Sequence, residues 1–309
     1  MTNLAPLSVD DLRGNKRRTH AEQLTHVVLF LAAAVSVLVS VLIVYSLLRE
    51  TWTFVTEVDW STVWSDGWFP RRSSYDIKTL IVGSLIVTAV GIAVAGPVGL
   101  GTAIYLSEYA SPRTRRVLKP IVELLAGIPS VVIGFFVLTF VAPEVVQRVF
   151  SASPQQTLLA AGLGVGILII PMIASIGEDA MRAVPVALRE ASYGMGAKKI
   201  TTVARVVVPA SVSGLVAAFI VGISRALGET MVVFLAAGKS GGSLFAWQPL
   251  EPGLTMTAGM ASVASGTDSV VGAGLTFQSL FFVGFVLFVI TLGLNLISER
   301  FVRRVRQRY

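Results

Sequence analysis

VALREASYGMGAKKITTVARVVVP (Val186–Pro209) is a polar, basic stretch set between strongly apolar runs. It follows a proline, mixes helix formers with glycine, and ends in valines and a second proline. Pro185 suits the first position of a helix. Gly194 and Gly196 suit a helix end or a close backbone approach. The pattern predicts a short amphipathic helix over Pro185–Ala197, then a basic turn, able to pack into a cleft on another protein. Composition alone favours an ordinary surface loop.

The flanking sequence sets the fold class. Leu158–Ile176, Val27–Leu48 and Leu275–Ile297 contain no Asp, Glu, Lys or Arg. Runs of about 20 residues cross a hydrocarbon core of roughly 30 Å at about 1.5 Å per residue. The chain of 309 residues is 54% hydrophobic and only 14% charged, where a soluble domain carries about a quarter charged residues. Lipid leaves the backbone no outside hydrogen-bond partner, so long apolar runs must be helical. An all-α polytopic membrane protein follows. Six spans are predicted: Val27–Leu48, Ile77–Leu106, Leu118–Val141, Leu158–Ile176, Pro209–Ala237 and Leu275–Ile297. With no cysteine in the chain, disulfides, thiolate metal sites and a cysteine nucleophile drop out.

The net charge of +7 could point to nucleic acid, but its distribution points to membrane orientation. Of the 25 Lys and Arg, 18 fall in the N-terminus, the 2–3 loop, the 4–5 loop and the C-terminus. Six lie on the opposite side (Arg49, Arg71, Arg72, Lys78, Arg148, Lys239), and the last is Arg225. The positive-inside rule then places both termini in the cytoplasm. The expected organisation is a cytoplasmic tail over 1–26 and an uncleaved first helix over 27–48. An extracytoplasmic Trp-rich loop follows over 49–76, then a core over 77–298 with its large inner loop at 177–208, and a basic cytoplasmic tail over 299–309. In the outer loop Trp60, Trp64 and Trp68 recur every four residues, as on one helix face. An interfacial aromatic belt and a docking face for an extracytoplasmic partner both fit.

Two apparent motifs fail. Ala236–Ser243, AAGKSGGS, resembles the end of a phosphate-binding loop, but Val233 stands where that loop needs its first glycine. No other segment supplies the motif, so this chain is not expected to hydrolyse ATP by itself. His20 and His26 share no helix face, and no cluster of metal ligands is expected.

Within Val186–Pro209, Glu190-Ala191-Ser192 is followed after three residues by Gly196, and after nine more by Val206-Val207-Val208-Pro209. This resembles the cytoplasmic motif of ABC importer permeases, E-A-A, three residues, G, nine residues, I-x-L-P. Ser192 replaces an alanine, and Val206 and Val208 replace Ile and Leu. LSEYASPRTRR…LLAGIPSVVIGF (Leu106–Phe135) and SRALGETM (Ser224–Met231) are similar to the phosphate-specific transport (Pst) permeases, most of all the C-type subunit. The resemblance covers roughly Lys78–Ile297. It implies a type I ABC importer transmembrane domain. Glu190, Ala191, Ser192, Gly196 and Pro209 would mark the helix that docks on a dimer of ATPase subunits, and the resemblance places ATP and magnesium on that dimer and no cofactor on this chain. The further partners it implies are a homologous A-type permease, an extracytoplasmic phosphate-binding protein and the lipid of a prokaryotic cell membrane.

VGISRALGETMVV (Val221–Val233) sets Arg225 and Glu229 four residues apart in an apolar run, hence on one helix face, a turn apart. A charge at the centre of a spanning helix costs about 2.5–3.5 kcal/mol on insertion scales. The pair is either a salt bridge that pins packing or the lining of a polar path. Arginine's planar fork suits phosphate oxygens. A carboxylate accepts from the P–OH that phosphate keeps near neutral pH and sulfate lacks. The resemblance carries a translocation role onto Arg225 and Glu229. Ser224 and Thr230 could add hydroxyls, and Ser130 in Gly127-Ile128-Pro129-Ser130 is a second candidate, where a packing kink fits as well. The implied function is phosphate uptake without covalent catalysis. The alternatives are a permease for sulfate or molybdate, an anion channel or transporter independent of ATP, and a membrane sensor or scaffold.

Overall fold

The computed structural model describes residues 16–238, 242–265 and 274–305. In order come α1 (Lys16–Glu57), α2 (Trp60–Val63), β1 (Gly67–Phe69), β2 (Ser74–Tyr75), α3 (Ile77–Ile104) and α4 (Pro112–Ala126). Next are α5 (Ser130–Phe136), α6 (Gln147–Val149), α7 (Leu158–Arg182), α8 (Val186–Gly194), α9 (Lys199–Thr202) and α10 (Val208–Ala210). The chain continues through α11 (Val212–Leu227), α12 (Met231–Ala236), β3 (Ser243–Leu244), α13 (Met256–Ala264) and α14 (Thr276–Val305). Wide π-helical turns extend α3 over Tyr105–Tyr109, α5 over Val137–Val146 and α9 over Val203–Val207. Lys239 and the middle of the Ala236–Ser243 segment lie outside the described residues, as do the side chains of Lys16–Arg18 and His20.

The chain divides into two units, Met1–Glu50 and Thr51–Tyr309. In the first, apolar side chains from Leu24 to Leu48 stand exposed all around the helix, the surface of a helix bathed in lipid. α1 continues to Glu57, so the predicted loop over 49–76 begins with two further helical turns.

The second unit is built on α3 and α7, which meet along small residues. A Cβ on Gly162 would lie 2.6 Å from Val90, and one on Gly99 would lie 2.9 Å from Ile173. Small residues at such a seam let two backbones approach where lipid supplies no hydrophobic drive for association. α7, 25 residues long, spans on its own. α11 packs on α7 in the same way, with Gly214 against Ala180 and Gly222 against Ile173. At one end of the unit Phe54 stacks on Phe282 at 4.7 Å and meets Tyr75 edge-on at 5.2 Å. The three strands form one small antiparallel sheet there, ordered β2-β1-β3.

Five helices are long and apolar enough to span, and a sixth span forms if the bent pair Lys199–Ala210 and Val212–Leu227 counts as one. Three expectations need correction. The third span is Ser130–Val149, not Leu118–Val141. Gly127 ends α4, and Pro129, lacking an N–H, begins the next helix. The residues from Pro112 to Ala126 form a separate amphipathic helix with no buried residue. The fifth span does not run unbroken from Pro209 to Ala237. It bends by 71° at Ser211 and stops at Leu227 before α12 resumes. The three tryptophans share no helix face. α2 ends at Val63, Trp60 and Trp64 are exposed, and Trp68 is buried in β1.

Candidate functional site: a broken helix and a pegged loop

Arg225 lies in the last turn of α11, and Gly228, Glu229 and Thr230 form the break before α12. Glu229 Oε1 accepts from the backbone N–H of Met231 at 3.2 Å and of Val232 at 3.4 Å, capping α12. Its Oε2 lies 2.9 Å from Arg225 Nη1. That contact is an ion pair by distance, but its alignment falls short of a hydrogen bond. The Thr257 hydroxyl donates to the Glu229 carbonyl at 2.6 Å, tying the break to the first turn of α13. The pair therefore spans a helix break, where the sequence predicts one continuous face.

The two charges have different surroundings. The Glu229 side chain is 2% exposed and that of Arg225 is 42% exposed. A buried carboxylate is tolerated only when paired and hydrogen-bonded, and here two amides and a guanidinium do both. Arg225 is left with Nε and Nη2 unspent among the described residues. Glu229 holds one arm of the fork by charge, and the guanidinium is half-exposed with donors in hand. In this conformation the carboxylate is turned away from any ligand, so an acceptor role for Glu229 toward P–OH is not on display.

The other candidates fall around this break. The Ser224 hydroxyl donates to Asn295 Oδ1 of α14 at 3.3 Å. Asn295 was not singled out from the sequence, because one amide in a spanning helix carries no spacing signal. The Thr230 hydroxyl turns back to the Gly228 carbonyl at 3.4 Å. Ser130 is the first residue of α5, one turn before Gly134, whose Cα faces the Met231 carbonyl and Val232 of α12.

The second locus is α8. Pro185 precedes it, and Gly196 follows with φ of +79°, a left-handed conformation that favours glycine. Glu190, Ala191 and Gly196 are exposed, and so are the apolar Val186, Tyr193, Met195 and Ile200. The Ser192 and Thr202 hydroxyls meet at 2.8 Å, joining α8 to α9. Pro209 is exposed in α10, just before the 71° bend. The predicted 177–208 loop is shorter in fact, because α7 runs on to Arg182.

A set of charges behind this loop escaped sequence reasoning. Glu178 is fully buried and holds Arg115 Nη2 at 2.6 Å and Lys119 Nζ at 2.6 Å, with Arg182 Nε at 3.8 Å. Lys119 also reaches Asp179 at 2.6 Å. Burial pulls the Lys119 ammonium down, but its hydrogen bonds to Asp179 and Glu178 outweigh burial and leave its pKa raised. Arg189 of α8 binds Glu108 at 2.8 Å. Glu178-Asp179 at the foot of an apolar run, facing RTRR across the fold, was the available signal.

Residues 95–309 match the family model described as "binding-protein-dependent transport system inner membrane component". The chain belongs to that family. Similar proteins within reach include a probable ABC transporter permease, YqgH of Bacillus subtilis. It is 38% identical over 187 residues, which is 60% of this chain and 58% of that protein. The phosphate transport system permease protein PstC of Mesorhizobium japonicum is 33% identical over 90% of this chain and 89% of its own. Among solved structures, an inward-facing MetNI methionine ABC transporter shares the fold with a TM-score of 0.53. The match is 20% identical and covers 73% of this chain and 92% of that one. The fold is that of a type I ABC importer transmembrane domain. A permease of this family is a multi-pass transport component that works with an ATPase and a substrate-binding protein.

Proposed function

We propose that this chain is the C-type permease subunit of an ATP-driven importer of inorganic phosphate. The observation that carries the reading is Arg225, half-exposed at a helix break, aimed by a buried Glu229 and with donors unspent. A guanidinium fork so placed suits a tetrahedral oxyanion, and it stays charged at every physiological pH. The identity to a phosphate permease over nine-tenths of the chain supports phosphate as that anion. The exposed face of α8 supports docking on an ATPase dimer, and the surplus of Lys and Arg on the α8 side supports a cytoplasmic location for that face and both termini. The half-exposed Arg225 suits a path shared with a homologous A-type permease. ATP binding by the partners would shift α8 and reopen the path to a phosphate-loaded binding protein on the far side. The chain itself holds neither ATP nor magnesium in this reading.

The test is uptake of radiolabelled phosphate by cells or vesicles carrying the complete complex. Arg225→Gln is expected to abolish uptake while the complex still assembles. Excess unlabelled phosphate is expected to compete, and sulfate and molybdate are not. Competition by sulfate at equal strength would make the chain a permease for another oxyanion. Undiminished uptake in Arg225→Gln would remove the pathway role.

A further inference from the structure

α8 has no buried residue. Its apolar hold on the rest of the chain is the half-buried Leu188, which packs against the small cluster of Ala103, Met181, Val184, Val207 and Leu215. Such a contact is non-directional and resists sliding and twisting poorly. The Ser192 hydroxyl ties α8 to α9, and the directional hold on α3 and α7 is Arg189. Its Nη1 donates to the Val184 carbonyl at 2.6 Å, and its Nη2 donates to the Met181 carbonyl at 2.9 Å. Nη2 and Nε also donate to Glu108 at 2.8 and 3.3 Å. Two of these acceptors are the carbonyls of Met181, in the last turn of α7, and of Val184, just past its end; the Met181 carbonyl also accepts from the Val184 N–H at 3.2 Å. The third is a carboxylate on the π-helical extension of α3. The pair is well shielded, with the Arg189 side chain 16% and that of Glu108 5% exposed.

One side chain of α8 therefore grips the ends of both α3 and α7. Those two helices are locked along their glycine seam, and α7 is packed through Ala180 and Ile173 on α11, whose last turn carries Arg225. A planar fork with several fixed partners transmits rotation as well as displacement.

We propose that Arg189, with Glu108, is the positioning residue that converts movement of α8 into movement of the spanning helices. The exposed face of α8 docks, and Arg189 couples. This rests on the importer reading above. It separates two functions within α8: residues facing outward set whether the ATPase binds, and Arg189 sets whether its cycle moves substrate.

The test uses the whole complex, both permeases and the ATPase dimer, reconstituted in vesicles with the loaded phosphate-binding protein. ATP hydrolysis and phosphate uptake are measured in the same vesicles for wild type, Arg189→Gln, Arg189→Lys and Glu108→Gln. The ATPase subunits are expected to co-purify with every variant. Hydrolysis is expected to persist while phosphate moved per ATP falls about tenfold in Arg189→Gln and Glu108→Gln, within the usual range of allosteric coupling. Arg189→Lys is expected to recover part of the ratio, since an ammonium reaches Glu108 but cannot fork across both carbonyls. Uptake and hydrolysis falling together at an unchanged ratio would overturn the proposal. So would loss of the ATPase subunits from both Arg189→Gln and Glu108→Gln, which would make the pair part of the docking surface. A wild-type complex that carries sulfate in place of phosphate would correct the substrate alone, and the ratio is then read with sulfate.

Discussion

Glu229 Oε2 sits 2.9 Å from Arg225 Nη1 across the gap between two helices, and the same carboxylate caps the second of them. One residue thus closes the break and aims the cation. Removing either partner has different consequences. Arg225→Gln leaves a buried carboxylate with two amides and no counter-charge, an expected loss of about 1–3 kcal/mol, toward the lower end because Arg225 is half-exposed. In Arg225→Gln/Glu229→Gln the carboxylate is gone, and a neutral amide oxygen can keep the cap. The double variant is expected to melt at a higher temperature than Arg225→Gln in detergent and still to transport nothing. A double variant no more stable than the single one would mean the burial cost of Glu229 is met elsewhere.

Gly196 follows α8 with φ of +79°, and a Cβ built there meets nothing within 4 Å. Space is therefore irrelevant, and the cost of a side chain is conformational, about 1–2 kcal/mol for an ordinary residue in the left-handed region. Gly196→Ala is expected to reorient the end of α8 and weaken co-purification of the ATPase subunits. Gly196→Asn, which tolerates that region better, is expected to retain more of it. Equal retention by both variants would show that the turn does not need its left-handed conformation.

Four of the six spans and the turn at Gly196 were legible in the sequence because hydropathy and a glycine at a fixed spacing act locally. The breaks were legible only in part. Gly127 and Pro129 announced a kink, but the sequence could not decide between a bent helix and two helices. Gly228 marks the end of α11, yet an apolar run on both sides hides the stop. The role of Glu229 depends on that stop, since a carboxylate can cap α12 only if α12 has a free first turn. The pairings Arg189–Glu108 and Glu178–Lys119 were illegible, even where the charges themselves stood out, because each joins residues more than fifty positions apart. Nothing in either neighbourhood specifies its partner; the α3–α7 seam does, by fixing where the helices end.

That seam can be tested by contrast. A Cβ on Gly162 would lie 2.6 Å from Val90, whereas one on Gly101 of α3 meets nothing within 4 Å. Gly162→Ala is expected to force the helices apart at about 1–3 kcal/mol, the usual cost of overpacking. Gly101→Ala is expected to be neutral or to stabilise by up to about 1 kcal/mol through helix propensity. Thermal melting of the two purified variants reads the difference. Equal melting points would mean that α3 and α7 are not held by close approach.

Lys119 gives the inner charge cluster a pH signature. Its pKa is raised, burial being outweighed by Asp179 and Glu178. A cation whose folded pKa exceeds its unfolded one stabilises fully below the unfolded value, about 10.4 for lysine. The stabilisation is lost as pH rises through the folded value. The link between α4 and α7 is therefore expected to hold unchanged across neutral pH and to weaken only above about pH 10.4. Lys119→Met removes the titrating group and leaves Glu178 with Arg115 at 2.6 Å. It is expected to lower the melting temperature at pH 7 and to flatten its fall between neutral and strongly alkaline pH. A variant whose melting temperature falls with pH as steeply as the wild type would place the alkaline-sensitive contact elsewhere in the fold.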